Sequence, residues 1–370
     1  MAKPPKALSL VLTLLCISQT SRARWISPFS HQGGERQAAF VKVDESTVES
    51  DAKLGHRSTS SSNEDRTTNK RPSARSSLYR EHIQRMVPHD SFTNNIDETL
   101  VSAGHFHTCG IERRPGLSYG GPVRCWGRND HGQTKATPGF YKQVSSGHHH
   151  SCAIGTDSAI QCWGSISSPF ANGPYKQVSS GGNHVCAVHQ DGSLECFGSN
   201  HHGESDPPAE GRYAQVSSGE GYSCGLRRDG TVQCWGKDHE GQSQPSSEKF
   251  KQISAGLDHH VCGITLNGAI RCWGMNSRGQ SKDREGSYVQ VSAGRRSACA
   301  IRAEDGGIEC FGGTSPIPEE ELVARQYTHV TLGKAHACAV DIERRLHCWK
   351  SGADLGGHRH PPGFQVGDDL

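Results

Sequence analysis

From residue 99 onward, apolar and polar positions alternate in runs of five or six residues, separated by Gly, Asp-Gly or Asn-Gly. Alternation with period two, punctuated by turn residues, predicts short β-strands joined by tight hairpins. One unit recurs seven times. Its second copy runs Tyr141-Lys142-Gln143-Val144-Ser145-Ser146-Gly147, then His150-Ser151-Cys152-Ala153-Ile154, then Ile160-Gln161-Cys162-Trp163-Gly164. The first Cys of successive copies falls at Cys109, Cys152, Cys186, Cys224, Cys262, Cys299 and Cys338, a period of roughly 38 residues, as in one propeller blade or solenoid unit.

Each copy predicts three strands. The first contains Val101, Val144, Val178, Val216, Ile253, Val291 or Val330; the second carries the first Cys, and the third carries the second Cys. Asp191-Gly192, Asp229-Gly230 and Asn267-Gly268 lie between the second and third strands, where they tolerate the positive φ of a tight turn. A short fourth strand is expected after the Asn-x-x-Gly-Gln segments at 129–133 and 276–280. The C-terminal stretch 361–366 resembles the start of a copy at 137–144, so a terminal strand is expected to pair with the first blade and close a ring.

The in-register Gly-x-x-His-x-Cys-Ala-Ile, Asp-Gly, Trp-Gly and Asn-x-x-Gly-Gln segments resemble the regulator of chromosome condensation repeat family. The resemblance covers about residues 95–370 and implies an all-β fold, a seven-bladed β-propeller. The paired Cys resemble its extracellular branch, such as plant receptor-kinase ectodomains of the crinkly type. Ser165-Ile166-Ser167 and Gly313-Thr314-Ser315 depart from the Asn-x-x-Gly-Gln pattern, and Lys350 replaces the Gly after Trp349.

Composition agrees with a turn-rich β protein: 33% of the 370 residues are hydrophobic and 44 are Gly. Lys+Arg is 40 against 38 Asp+Glu, a balance that argues against a nucleic-acid partner, which needs clustered positive charge. Lys3 and Lys6 precede an apolar run over 7–17, followed by Ser21-Arg22-Ala23. That layout predicts a signal peptide over 1–23 and export to an extracytoplasmic compartment. The run is too short for a membrane span, which needs about 20 residues. Residues 24–94 are Ser/Thr/Arg/Asn-rich and are expected to form a disordered tail or propeptide, leaving 95–370 for the propeller.

Fifteen Cys minus Cys16 in the leader leave two per repeat. A spacing of about ten residues centred on a turn sets both Cys opposite each other on adjacent antiparallel strands, at roughly 4.5–5.5 Å between Cα atoms, within reach of a disulfide. The expected pairs are Cys109–Cys125, Cys152–Cys162, Cys186–Cys196, Cys224–Cys234, Cys262–Cys272, Cys299–Cys310 and Cys338–Cys348. Zinc binding and free core thiols are the alternatives, but no C-x-x-C knuckle occurs.

His107, His150, His184, His260 and His336 each stand two residues before the first Cys, with Tyr222 and Ser297 in the other copies. They read either as a ring of metal ligands or as a repeated structural part; recurrence at the blade period favours the structural role. His148-His149-His150 and His201-His202 can bind a transition metal adventitiously, but no spacing specifies a closed site, and no metal or cofactor is predicted. Phosphate-loop, zincin and nucleophile-elbow motifs are absent from the sequence, so a non-enzymatic role is expected.

Three functions remain: an exported binding module for a protein or glycan, guanine-nucleotide exchange on a small GTPase, and inhibition of a secreted enzyme. The leader and paired Cys favour the first. Its candidate binding face is the set of turns after the first strands, where His105, His148, His149, Asn183, Asp258, Arg295 and Arg296 vary between copies. The Arg295-Arg296 and His148-His149 pairs favour an anionic partner.

Overall fold

The computed structural model describes residues 100–112, 120–166 and 173–350. The boundaries expected at 23 and 94 and the closing strand expected at 363–367 lie outside them. Every described strand belongs to the contact unit Thr68–Leu370. Twenty-one strands form seven three-stranded antiparallel sheets, each ordered inner, middle, outer as the chain runs. Blades 1 to 7 occupy 101–127, 141–164, 175–198, 213–236, 250–274, 288–312 and 327–350. The one described helix, α1 (Glu319–Leu322), lies in the connection between blades 6 and 7.

The apolar core is divided among the junctions between blades. Tyr222, Cys224 and Leu226 of blade 4 pack on Phe250, Ile253, Val261 and Trp273 of blade 5, and each other junction repeats this arrangement. Val101 and Trp126 of blade 1 pack on Cys338, Val340 and Leu346 of blade 7, so the same contact closes the ring. One blade cannot bury its own apolar face; stacking on a neighbour does so.

Side-chain bonds between inner strands add direction to this packing. The Ser of each Gln-Val-Ser run accepts a bond from the backbone N–H two residues beyond the equivalent Val of the next blade. Ser102 accepts from Ser146, Ser145 from Ser180, Ser179 from Ser218, Ser217 from Ala255, Ser254 from Ala293 and Ser292 from Leu332, at 2.8–3.1 Å. Thr331 accepts from Ala103 and completes the circle. Gln143, Gln177, Gln215, Gln252 and Gln290 likewise accept from Val178, Val216, Ile253, Val291 and Val330. The motif therefore satisfies backbone donors that a free strand edge would leave buried and unpaired.

The Gly that ends each inner strand is required by crowding. A Cβ on Gly147 would lie 2.6 Å from the Gly181 carbonyl oxygen, and one on Gly104 2.5 Å from that of Gly147. Facing Cys on the middle and outer strands are bonded in all seven blades, with Cα atoms 4.0–4.1 Å apart, slightly closer than the sequence spacing suggested.

The expected fourth strand is absent among the described residues, apart from a single bridge between Ile270 and Arg284. The Asn-x-x-Gly-Gln segment uses its polar groups within its own turn instead. Asn129 Oδ1 accepts from Thr134 N, and Gln133 Oε1 accepts from His131 N. Gln133 O accepts from Trp163 Nε1 of the next blade. With these groups committed, and Pro138 shortly beyond, the segment continues as turns rather than as a strand.

Candidate functional site

The turns after the inner strands and the segments after the outer strands share one face. Arg128 N donates to Phe106 O, Ser199 N to Asn183 O, Lys237 N to Gly221 O and Gly313 N to Arg296 O. The opposite face pairs the other two sets of turns, as where Thr156 N donates to Phe140 O and Leu266 N to Lys249 O. Antiparallel order makes this unavoidable, because successive connections must alternate between faces.

Beneath the first face lie the five repeated histidines, all buried. His107 Nε2 pairs with Ser151 Oγ at 2.8 Å, His184 Nε2 with Ser223 Oγ at 2.7 Å, and His336 Nε2 with Thr108 Oγ1 at 2.9 Å. In each case the hydroxyl belongs to the following blade. The blades after His150 and His260 offer Val185 and Ala298 at that position. Neither nitrogen of His150 has a hydrogen-bond partner; His260 lies beside the Ser297 backbone. Burial pushes the pKa of His150 down to about 3 and those of His184 and His260 to about 4. His107, His184 and His336 are struts between blades, burial keeps His150, His184 and His260 neutral, and none of the five belongs to a metal-capable cluster among the described residues.

The variable turns form two contrasting corners. At blades 1 and 2, His105, His148, His149 and His131 make a continuous chain of rings, with successive centroids 3.6, 4.4 and 4.4 Å apart. His105 is buried rather than displayed. Burial and the neighbouring His148 push its pKa to about 2; burial and His149 push His148 to about 4. Phe106 sits beside this chain, with the Arg128 guanidinium 5.5 Å and the Lys334 ammonium 4.6 Å from its ring centre.

At blades 5 and 6, Asp258 lies between the two arginines, 3.5 Å from Arg295 Nε and 3.5 Å from Arg296 Nε. Asp258 therefore offsets one of the two charges, and the Arg295-Arg296 pair is a partly neutralised corner rather than the fully open cationic patch that the sequence suggested. Asp258 comes from the preceding blade, whose turn carries one more residue than the others. Asn183 is exposed on the same face and separate from both corners. Phe106 and Lys334 belong to the variable turns expected on this face, whereas Arg128, Asp130 and His131 join it without having been singled out from the sequence. The outer segment of one blade lies over the inner turn of the next, as the His131–His149 ring contact shows.

The family described as the regulator of chromosome condensation (RCC1) repeat matches residues 175–204, 213–242 and 250–280, which are blades 3 to 5 with their following segments. No curated protein matches the sequence. Among solved structures, the chain is similar to the crinkly ectodomain of the Arabidopsis thaliana receptor kinase ACR4. The identity is 22% and the TM-score 0.58, over 70% of this chain and 97% of that one. The entire ectodomain of the Physcomitrella patens receptor kinase CR4 gives 23% and 0.58, over 72% and 76%. Prp20p of Saccharomyces cerevisiae, described with its binding to Gsp1p and histones, gives 14% and 0.54, over 69% and 82%. At these identities the likeness concerns the fold.

Proposed function

The chain is a propeller of regulator of chromosome condensation repeats with a disulfide in each blade, and from that premise we propose an exported, non-catalytic binding module. The observation that carries this reading is the bonded Cys pair repeated in all seven blades. Disulfides persist in oxidising compartments and are rare where thiols are kept reduced. A leader-like segment at 1–23 supports the same location.

The binding face is the one that carries the inner turns, and the ligand is a protein. Its repeated scaffold holds turns of different chemistry, which is how rigid folds display specificity. Phe106, half-buried and flanked by Arg128 and Lys334, supplies an aromatic anchor with cationic neighbours, the residue types that dominate protein interfaces. Exchange on a small GTPase, which resemblance to the repeat family implies, takes an intracellular partner, and seven disulfides do not suit a compartment that keeps thiols reduced.

Fractionation with thiol alkylation of the native protein tests this. The proposal expects an extracytoplasmic protein with no free Cys in the propeller, and recovery of a ligand by cross-linking from that compartment. A cytosolic protein with alkylatable propeller thiols would contradict it and favour the exchange reading. Recovery of a glycan alone would change the ligand class.

A further inference from the structure

The junction of blades 1 and 2 carries a cluster that the binding reading does not use. One carboxylate oxygen of Asp130 and one ring nitrogen each of His131 and His149 lie within 4.8 Å of one another. Two imidazoles and a carboxylate are a donor set suited to zinc and neighbouring divalent transition metals. We propose that Asp130, His131 and His149 bind one such ion across this junction.

The surroundings are built for it in a way the equivalent positions are not. Gln133, fully buried, donates from Nε2 to Asp130 Oδ1 at 3.0 Å and accepts the His131 backbone N–H at 2.9 Å. It therefore orients the Asp130 carboxylate from behind, as outer-shell groups do in metal sites, and fixes the turn that carries His131. Gln242 and Gln280 hold the same place in blades 4 and 5, but their Nε2 groups have no hydrogen-bond partner, and His239 and Ser277 stand where blade 1 has Asp130. His149 Nδ1 is buried without a hydrogen-bond partner.

Arg128 is the local competitor: its Nε donates to Asp130 Oδ2 at 2.7 Å, and its Nη2 pairs with the same oxygen. A carboxylate has about four lone-pair sites, so the bonds from Gln133 and Arg128 leave acceptor capacity for an ion. The guanidinium still opposes its charge. Three protein ligands leave at least one coordination position open on the exposed face, available to water or to a donor from a partner.

Cobalt(II) titration of the untagged full-length chain, followed by its visible absorption and by zinc competition, tests the site. One bound equivalent is expected, weakened about tenfold or more by His131→Ala or His149→Ala. Arg128→Gln should tighten binding, whereas H201A/H202A should leave it unchanged. His131 is exposed, so its variant reports on the site even where replacing half-buried His149 disturbs the turn. Absence of cobalt uptake would overturn the proposal. So would binding that is insensitive to His131→Ala, or that H201A/H202A lowers equally.

Discussion

The hydroxyl belt around the axis and the turns a few residues away obey different rules. In the belt, one Ser or Thr per blade makes the same bond to the next blade, seven times over. In the adjoining turns, blade 1 carries His105-Phe106, blade 2 His148-His149, blade 4 Glu220-Gly221 and blade 6 Arg295-Arg296. The belt positions satisfy buried backbone groups whose geometry is the same at every junction, so one residue type solves all of them. The turn positions face solvent or a neighbouring turn and carry no such demand. The account therefore assigns stability to the belt, the struts and the disulfides, and recognition to the turns.

The largest test of that division is removal of a bridge. Replacing Cys224 and Cys234 together with Ala should cost about 3 kcal/mol or somewhat less on the loop-entropy model. Denaturant unfolding measures this, and ligand capture by the folded variant should be unchanged. A loss of capture without loss of stability would break the division.

Next come the struts. Ser223→Val copies the arrangement at the blade 2–3 junction and leaves His184 Nε2 unpaired, at an expected cost of about 2 kcal/mol. Val185→Thr makes the reverse change and offers His150 a hydroxyl, with an expected gain of up to about 1 kcal/mol. If both variants unfold at the wild-type denaturant midpoint, the His–hydroxyl bonds do not hold the blades together.

Acid should act through the same groups. Burial holds His150, His184 and His260 at about 3, 4 and 4 in the fold, against about 6.5 in an unfolded chain. Between those values the unfolded chain binds more protons, so stability rises with pH. It should be complete above about pH 6.5 and decline as pH falls towards 4. Unfolding curves at pH 7, 6 and 5 check this, and His150→Leu should flatten the decline. An equally steep decline in that variant would remove His150 from the explanation.

The smallest stability effects belong to the turns. Asn183→Ala and His202→Ala should shift stability by no more than about 0.5 kcal/mol, because both residues are exposed. A larger loss would show that the turns share the load of the belt.

What could be read from the chain follows the range of the interaction. Cys224 and Cys234 face each other across one hairpin, so a ten-residue spacing and period-two alternation suffice to place them. The Gln-Val-Ser run announces a strand, but not that Ser217 bonds the next blade, since that depends on how two blades stack. The same reason hid the proximity of Asp130 to His149 and the insertion of Asp258 between Arg295 and Arg296. Both bring together residues from consecutive blades. The fourth strand was misread because Asn129, Gly132 and Gln133 look like the approach to a strand, while their polar groups are already used within the turn.

The central claim, that recognition belongs to the face carrying the inner turns, is tested most directly by amine-reactive cross-linking to the captured ligand. Lys237 and Lys334 lie on that face, and Lys142 and Lys249 lie towards the other, Lys142 reaching Ser158 and the Lys249 carbonyl accepting from Leu266. The account predicts ligand cross-links at Lys237 and Lys334, and none at Lys142 and Lys249. Cross-links confined to Lys142 and Lys249 would contradict it.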